Sequence, residues 1–124
     1  MSRINFANLT RERPELRRAW DALDQFLKKH PRIVFLDVPR LAREMKEISS
    51  AELSIALSQL ERLGFAKQTF RVKNAEGKIL SSDYESPEDI PEEVPDDFMA
   101  HQFRTSEGQI VTGFLLEGAG GRPE

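Results

Sequence analysis

One stretch, SSAELSIALSQLERLGFAK over Ser49–Lys67, constrains the fold more than any other. Ser49 and Glu52 stand in S-x-x-E spacing, in which the serine hydroxyl and the glutamate carboxylate each accept a backbone N–H at a helix start. Leu53, Ala56, Leu57, Leu60 and Leu63 then recur at steps of three and four. That spacing puts them on one face of a helix, and the face must be buried. Gly64 follows as the left-handed residue that stops such a helix. A helix this amphipathic needs other elements to cover it, so the flanking sequence must supply them.

Upstream, residues 1–13 are polar and are expected to be loosely held. Pro14 suits a first helical turn, and Leu16, Ala19, Trp20, Leu23, Phe26 and Leu27 form a core-facing stripe over 15–29. His30-Pro31 ends that helix, because the residue before proline avoids helical geometry. RIVFLD (32–37) reads as a short strand. Asp37 then caps a second helix over 38–46, with Leu41, Ala42 and Met45 inward. Downstream, Phe65, Phe70 and Val72, then Ile79 and Leu80, flank the turn NAEG and predict a hairpin. Residues 85–97 are crowded with acids and broken by Pro87, Pro91 and Pro95, so an irregular linker is expected. Residues 99–104 and 109–117 predict a second hairpin turning at TSEG, and 118–124, GAGGRPE, reads as a flexible tail.

This order of helix, strand, helix, helix and hairpin resembles the winged helix-turn-helix family of bacterial and archaeal regulators. The resemblance covers about residues 14–82. It rests on LAREM, the serine-capped turn, the leucine spacing from Leu57 to Leu63, and RLGF leading into the hairpin. It implies an α+β fold: three helices plus a β-hairpin wing over 14–84, the linker 85–97, and a small β-hairpin extension over 98–117. The segment after the wing also resembles a zinc ribbon that has lost its metal ligands. The positions corresponding to the two Cys-x-x-Cys turns are Asn74 and Gly77, then Pro95 and Phe98, none of which suits tetrahedral zinc. Apolar packing by Phe98, Phe103, Val111 and Phe114 would then replace the metal. An extended wing with an unrelated extra hairpin explains the same residues.

Charge divides the chain. Residues 1–73 carry 15 Lys/Arg against 9 Asp/Glu, and residues 74–124 carry 3 against 12. A net +6 followed by a net −9 points to two functional surfaces, or to one that partly masks the other; ordinary solvated faces explain it equally well. With no cysteine there is no disulfide and no thiolate metal site. No apolar run nears the roughly 20 residues of a membrane span. MSRINFANLT has no apolar signal core, so a cytoplasmic location is expected.

No glycine-rich phosphate loop or G-x-S-x-G elbow is present, and His30 and His101 have no ligand or acid–base partners at useful spacing. The chain therefore reads as non-enzymatic, without metal or cofactor. Two binding readings remain. In one, the chain is an adaptor in a larger assembly and contacts a protein partner through Glu52, Ile55, Ser58 and Gln59 of the third helix, or through the first helix and the acidic back half; an exposed β-branched apolar residue such as Ile55 suits an interface. In the other, the chain is a DNA-binding regulator. Ser50, Ser54, Gln59 and Arg62 then face the groove, and Lys67, Arg71 and Lys73, alternating along one strand face, grip phosphate. The poor base-reading set on the third helix and the acidic C-terminal half favour the adaptor. A homodimer is compatible with either.

Overall fold

The computed structural model describes residues 4–117. It is a mixed α+β fold of four helices and five strands. The helices are α1 (Phe6–Glu12), α2 (Arg17–Lys29), α3 (Val38–Glu44) and α4 (Ser50–Arg62). The strands are β1 (Phe35–Asp37), β2 (Ala66–Lys73), β3 (Glu93–Asp96), β4 (His101–Arg104) and β5 (Gln109–Leu116). No helix among the described residues is long and apolar enough to cross a membrane.

The cap signals read from the sequence act as expected. Ser49 accepts the Glu52 N–H at 3.0 Å while the Glu52 carboxylate accepts the Ser49 N–H at 3.1 Å, closing the box that starts α4. Gly64 ends the helix with φ +84, a conformation that a side chain would strain. Asp37 accepts the Arg40 N–H at 3.2 Å and starts α3, which stops at Glu44 rather than Lys46. A 3₁₀ turn, Pro14–Leu16, precedes α2.

Residues 1–13, expected to be loosely held, contain α1 instead. Asn5 caps it, and Phe6 and Leu9 are buried. The Phe6 ring lies 6.2 Å from that of Trp20 in a tilted contact. Two apolar residues three apart make too short a stripe to register as a periodicity, yet they suffice to dock one helical turn on a tryptophan. The flexible tail expected over 118–124 lies outside the described residues.

The larger sheet is antiparallel in the order β1-β5-β2, so the last strand of the chain lies between the first two. Leu36, Ala66, Phe114 and Leu116 turn one sheet face toward the helices and join the main core with Trp20, Leu23, Leu41, Leu53, Leu57 and Leu60. On the other face Gly113 makes room for Phe35: a side chain at 113 would strike the Phe35 ring and the Leu36 carbonyl.

The two predicted hairpins are corrected. β4 and β5 do not pair with each other. β4 pairs with β3, and β5 pairs with β1 and β2. The apolar residues Phe114 and Leu116 draw β5 into the helix-covered sheet, which leaves β4 to find a partner in the supposed linker. That linker holds a 3₁₀ turn, Pro87–Asp89, and all of β3, with Val94 and Asp96 inward. Pro95 fits because β3 is an edge strand. The return from the NAEG turn makes only isolated bridges to β2, at Lys73–Ile79 and Phe70–Tyr84. A second, smaller core of Val72, Leu80, Val94 and Phe103, flanked by Tyr84 and Ile90, holds this part together.

Candidate interaction surfaces

The buried stripe of α4 leaves Ser50, Ser54, Ile55, Ser58 and Arg62 exposed, with Glu52 and Gln59 half-buried. Ile55 is 49% exposed and Leu63, just beyond the helix, 43%. Leu63 was expected in the buried stripe. It is instead the C-cap, where the helix is already ending before Gly64. Gln59 accepts a hydrogen bond from the Arg13 guanidinium at 3.2 Å, which ties the end of α1 to the flank of α4. Glu52 is committed to its cap. The accessible surface of α4 is thus Ile55 among serines and Ala51, with Glu61 and Arg62 at its C-terminal end.

The three cations of β2 fare differently from one another. Arg71 makes a two-point contact with Asp83, at 2.7 and 3.2 Å, and its guanidinium lies 4.5 Å from the centre of the Phe35 ring. Lys67 is hydrogen-bonded to Glu85 at 3.1 Å. That bond first, and the Glu85 charge next, hold the Lys67 ammonium above its ordinary range; Glu117 and Glu61 add to the same field. Lys73 is half-buried and forms no ion pair among the described residues. The backbone fixes these pairings. Phe70 and Tyr84 exchange N–H···O bonds at 2.9 Å each, and the Thr69 hydroxyl donates to the Tyr84 carbonyl at 3.1 Å. With Phe70 opposite Tyr84, Asp83 falls opposite Arg71 on the same face. The face expected to grip phosphate is therefore occupied by carboxylates of the same chain.

The supposed ribbon turns come together through Asn74, one of the positions expected, and through Asp96 in place of Pro95 or Phe98. Asn74 and Asp96 are both buried. The Asn74 side-chain N–H₂ donates to Asp96 at 3.0 Å. The Asn74 carbonyl oxygen accepts the Glu76 and Lys78 N–H groups, and the Asp96 carboxylate accepts those of Phe98 and Met99. Burial by itself pushes the Asp96 carboxyl up. The bonds from Asn74, Met99 and Phe98, with His101 nearby, outweigh it and hold the group below its ordinary value. The partner of Asn74 is thus Asp96, between Pro95 and Phe98, and the link is polar rather than apolar. Phe98, expected to pack inward, is 55% exposed at the tip, beside a 49% exposed Met99. Phe103 does pack in the small core, Val111 is buried, and Phe114 belongs to the main core.

The two histidines stay apart in role. The His30 ring lies 4.5 Å from that of Phe26 in a tilted contact at the end of α2. His101 is exposed, and its Nδ1 lies 2.7 Å from the Gln102 carbonyl. No three His, Cys, Asp or Glu side chains converge as a metal site among the described residues. No family model, curated protein or solved structure matches the chain.

Proposed function

We propose that the chain is a winged-helix binding module that makes protein–protein contacts, an adaptor rather than an enzyme. The winged-helix reading draws support from the order helix, strand, helix, helix, strand, and from a sheet whose last strand lies between the first two. The observation that carries the functional reading is the surface of α4. Its exposed residues are Ala51, Ile55, three serines, Glu61 and a single cation, Arg62, with Leu63 exposed beside them. Base edges are read mainly by Arg, Lys, Asn and Gln. Here Gln59 is engaged by Arg13 and only Arg62 is left for that task. Small side chains around one exposed aliphatic residue, with one carboxylate beside the one cation, suit a protein partner better.

Ile55→Asp tests this. The substitution lies on an exposed position, so circular dichroism should be unchanged. An interacting protein recovered with the native chain should be lost with the variant. An identical set of recovered proteins rejects α4 as the contact. A labelled generic duplex titrated at about 50 and 200 mM salt tests the DNA reading in parallel. Tight, salt-sensitive binding by the native chain would replace the adaptor with a DNA-binding regulator.

A further inference from the structure

We infer that residues 83–85 form an intramolecular strap that masks an anion-binding face on β2, with a nucleic-acid phosphate backbone as the ligand it excludes. The inference goes beyond the adaptor reading and concerns a different surface. Lys67, Arg71 and Lys73 lie on one face of the strand, because alternate residues share a side. A row of cations on an extended strand can track phosphates. In this chain two of the three already meet carboxylates, Glu85 on Lys67 and Asp83 on Arg71. Asp83 addresses the Arg71 guanidinium at two points, as a phosphate would.

The strap is placed by backbone, not by charge alone. The reciprocal Phe70–Tyr84 bonds and the Thr69 hydroxyl hold Tyr84 against β2. Alternation then turns Asp83 and Glu85 to one side of the strap. The charge division of the chain thus has a local counterpart, a segment of the acidic half lying on cations of the basic half. Glu61 and Glu117 add to the carboxylate field at Lys67, at the opposite end of the row from Lys73.

The test neutralises the strap and asks whether the chain gains affinity for phosphate. Asp83→Asn with Glu85→Gln is titrated against the same labelled duplex as the native chain. The expected result is at least about ten-fold tighter binding at 50 mM salt. Three phosphate contacts imply a loss of about 40-fold between about 50 and 200 mM. Adding Lys73→Gln should reverse much of the gain. Glu92→Gln with Glu93→Gln removes the same charge from exposed positions away from β2, and should give no gain. If the doubly neutralised chain fails to fold, Glu85→Gln alone decides, because that pair is exposed. A gain confined to the strap variants supports masking. No gain, or an equal gain from the Glu92 and Glu93 control, overturns it and leaves the adaptor reading intact. Tight binding by the native chain overturns both.

Discussion

The helical core and the β3–β4 appendage solve the same problem with different materials. Around α4, large apolar side chains from all four helices and the three-stranded sheet fill one continuous core, with Trp20, Leu23, Leu36 and Leu60 wholly buried. The appendage has four buried apolar residues, Val72, Leu80, Val94 and Phe103. A two-stranded ribbon is marginal by itself. Here it is braced by two turns whose side chains bond both the backbone and each other, Asn74 to Asp96. Volume holds the first region and hydrogen bonds hold the second. The first should fail by losing contacts everywhere, the second by losing one link.

The largest effect expected is therefore in the helical core. Leu57 is 1% exposed, and Leu57→Ala should cost about 3 kcal/mol in denaturant unfolding, from lost burial plus the cavity left behind. Hydrogen exchange should rise throughout the protein. A cost well below 1 kcal/mol would mean that the core around α4 collapses to fill the gap, and that its packing is not the source of stability. Asn74→Ala comes next, at about 2 kcal/mol, since it leaves two backbone N–H groups and a buried carboxylate short of a partner. Its exchange signature should be confined to residues 74–104, with α4 amides unaffected. Uniform loss of protection would show that the two regions unfold as one unit, and would break the comparison.

The same contrast decides what the sequence could reveal. α2, α3 and α4 were legible because leucine spacing, capping residues and breakers are local signals that agree with one another. The burial of Leu53, Leu57 and Leu60 and the capping box need no tertiary information. The appendage depends on pairings that no local pattern encodes. Nothing in the sequence distinguishes Asp96 from the neighbouring acids; it acquires its role because β3 points it inward toward Asn74. β5 reads as one arm of a hairpin, and only the helices' need for a covered sheet places it between β1 and β2. Among the candidate site residues, those on α4 could be assigned to an outward face from periodicity alone. The pairing of Lys67 and Arg71 could not, because Glu85 and Asp83 lie 18 and 12 residues away in the chain. The charge division was the available signal, and it pointed to two surfaces, or to one that partly masks the other, without saying which residues take part.

A smaller effect sharpens the account of the helical core. Ser49→Ala removes the hydroxyl that accepts the Glu52 N–H and should cost about 1 kcal/mol, read as a lower denaturation midpoint with unchanged slope. Because the cap is local and exposed, the loss should stay well below that of Leu57→Ala. Equal losses would mean that α4 owes as much to its terminus as to its buried face.

The smallest effect expected belongs to the appendage. The Asp96 carboxyl is held below its ordinary 3.8 by bonds that need the charged form. A carboxyl depressed in the folded state adds stability above its unfolded value, and the contribution fades as pH falls through the folded one. Acidification should therefore loosen the hairpin tip only in a window below 3.8. The groups facing Asp96 are the Asn74 amide, the Phe98 and Met99 N–H groups and His101, so the two backbone amides are the natural reporters. Their proton shifts should move together with one midpoint below 3.8, and Asp96→Asn should abolish that movement while α4 amides ignore it. A midpoint at or above 3.8 would mean that burial outweighs the hydrogen bonds. The appendage would then be held by its four apolar residues after all, and the difference between the two regions would be one of size alone.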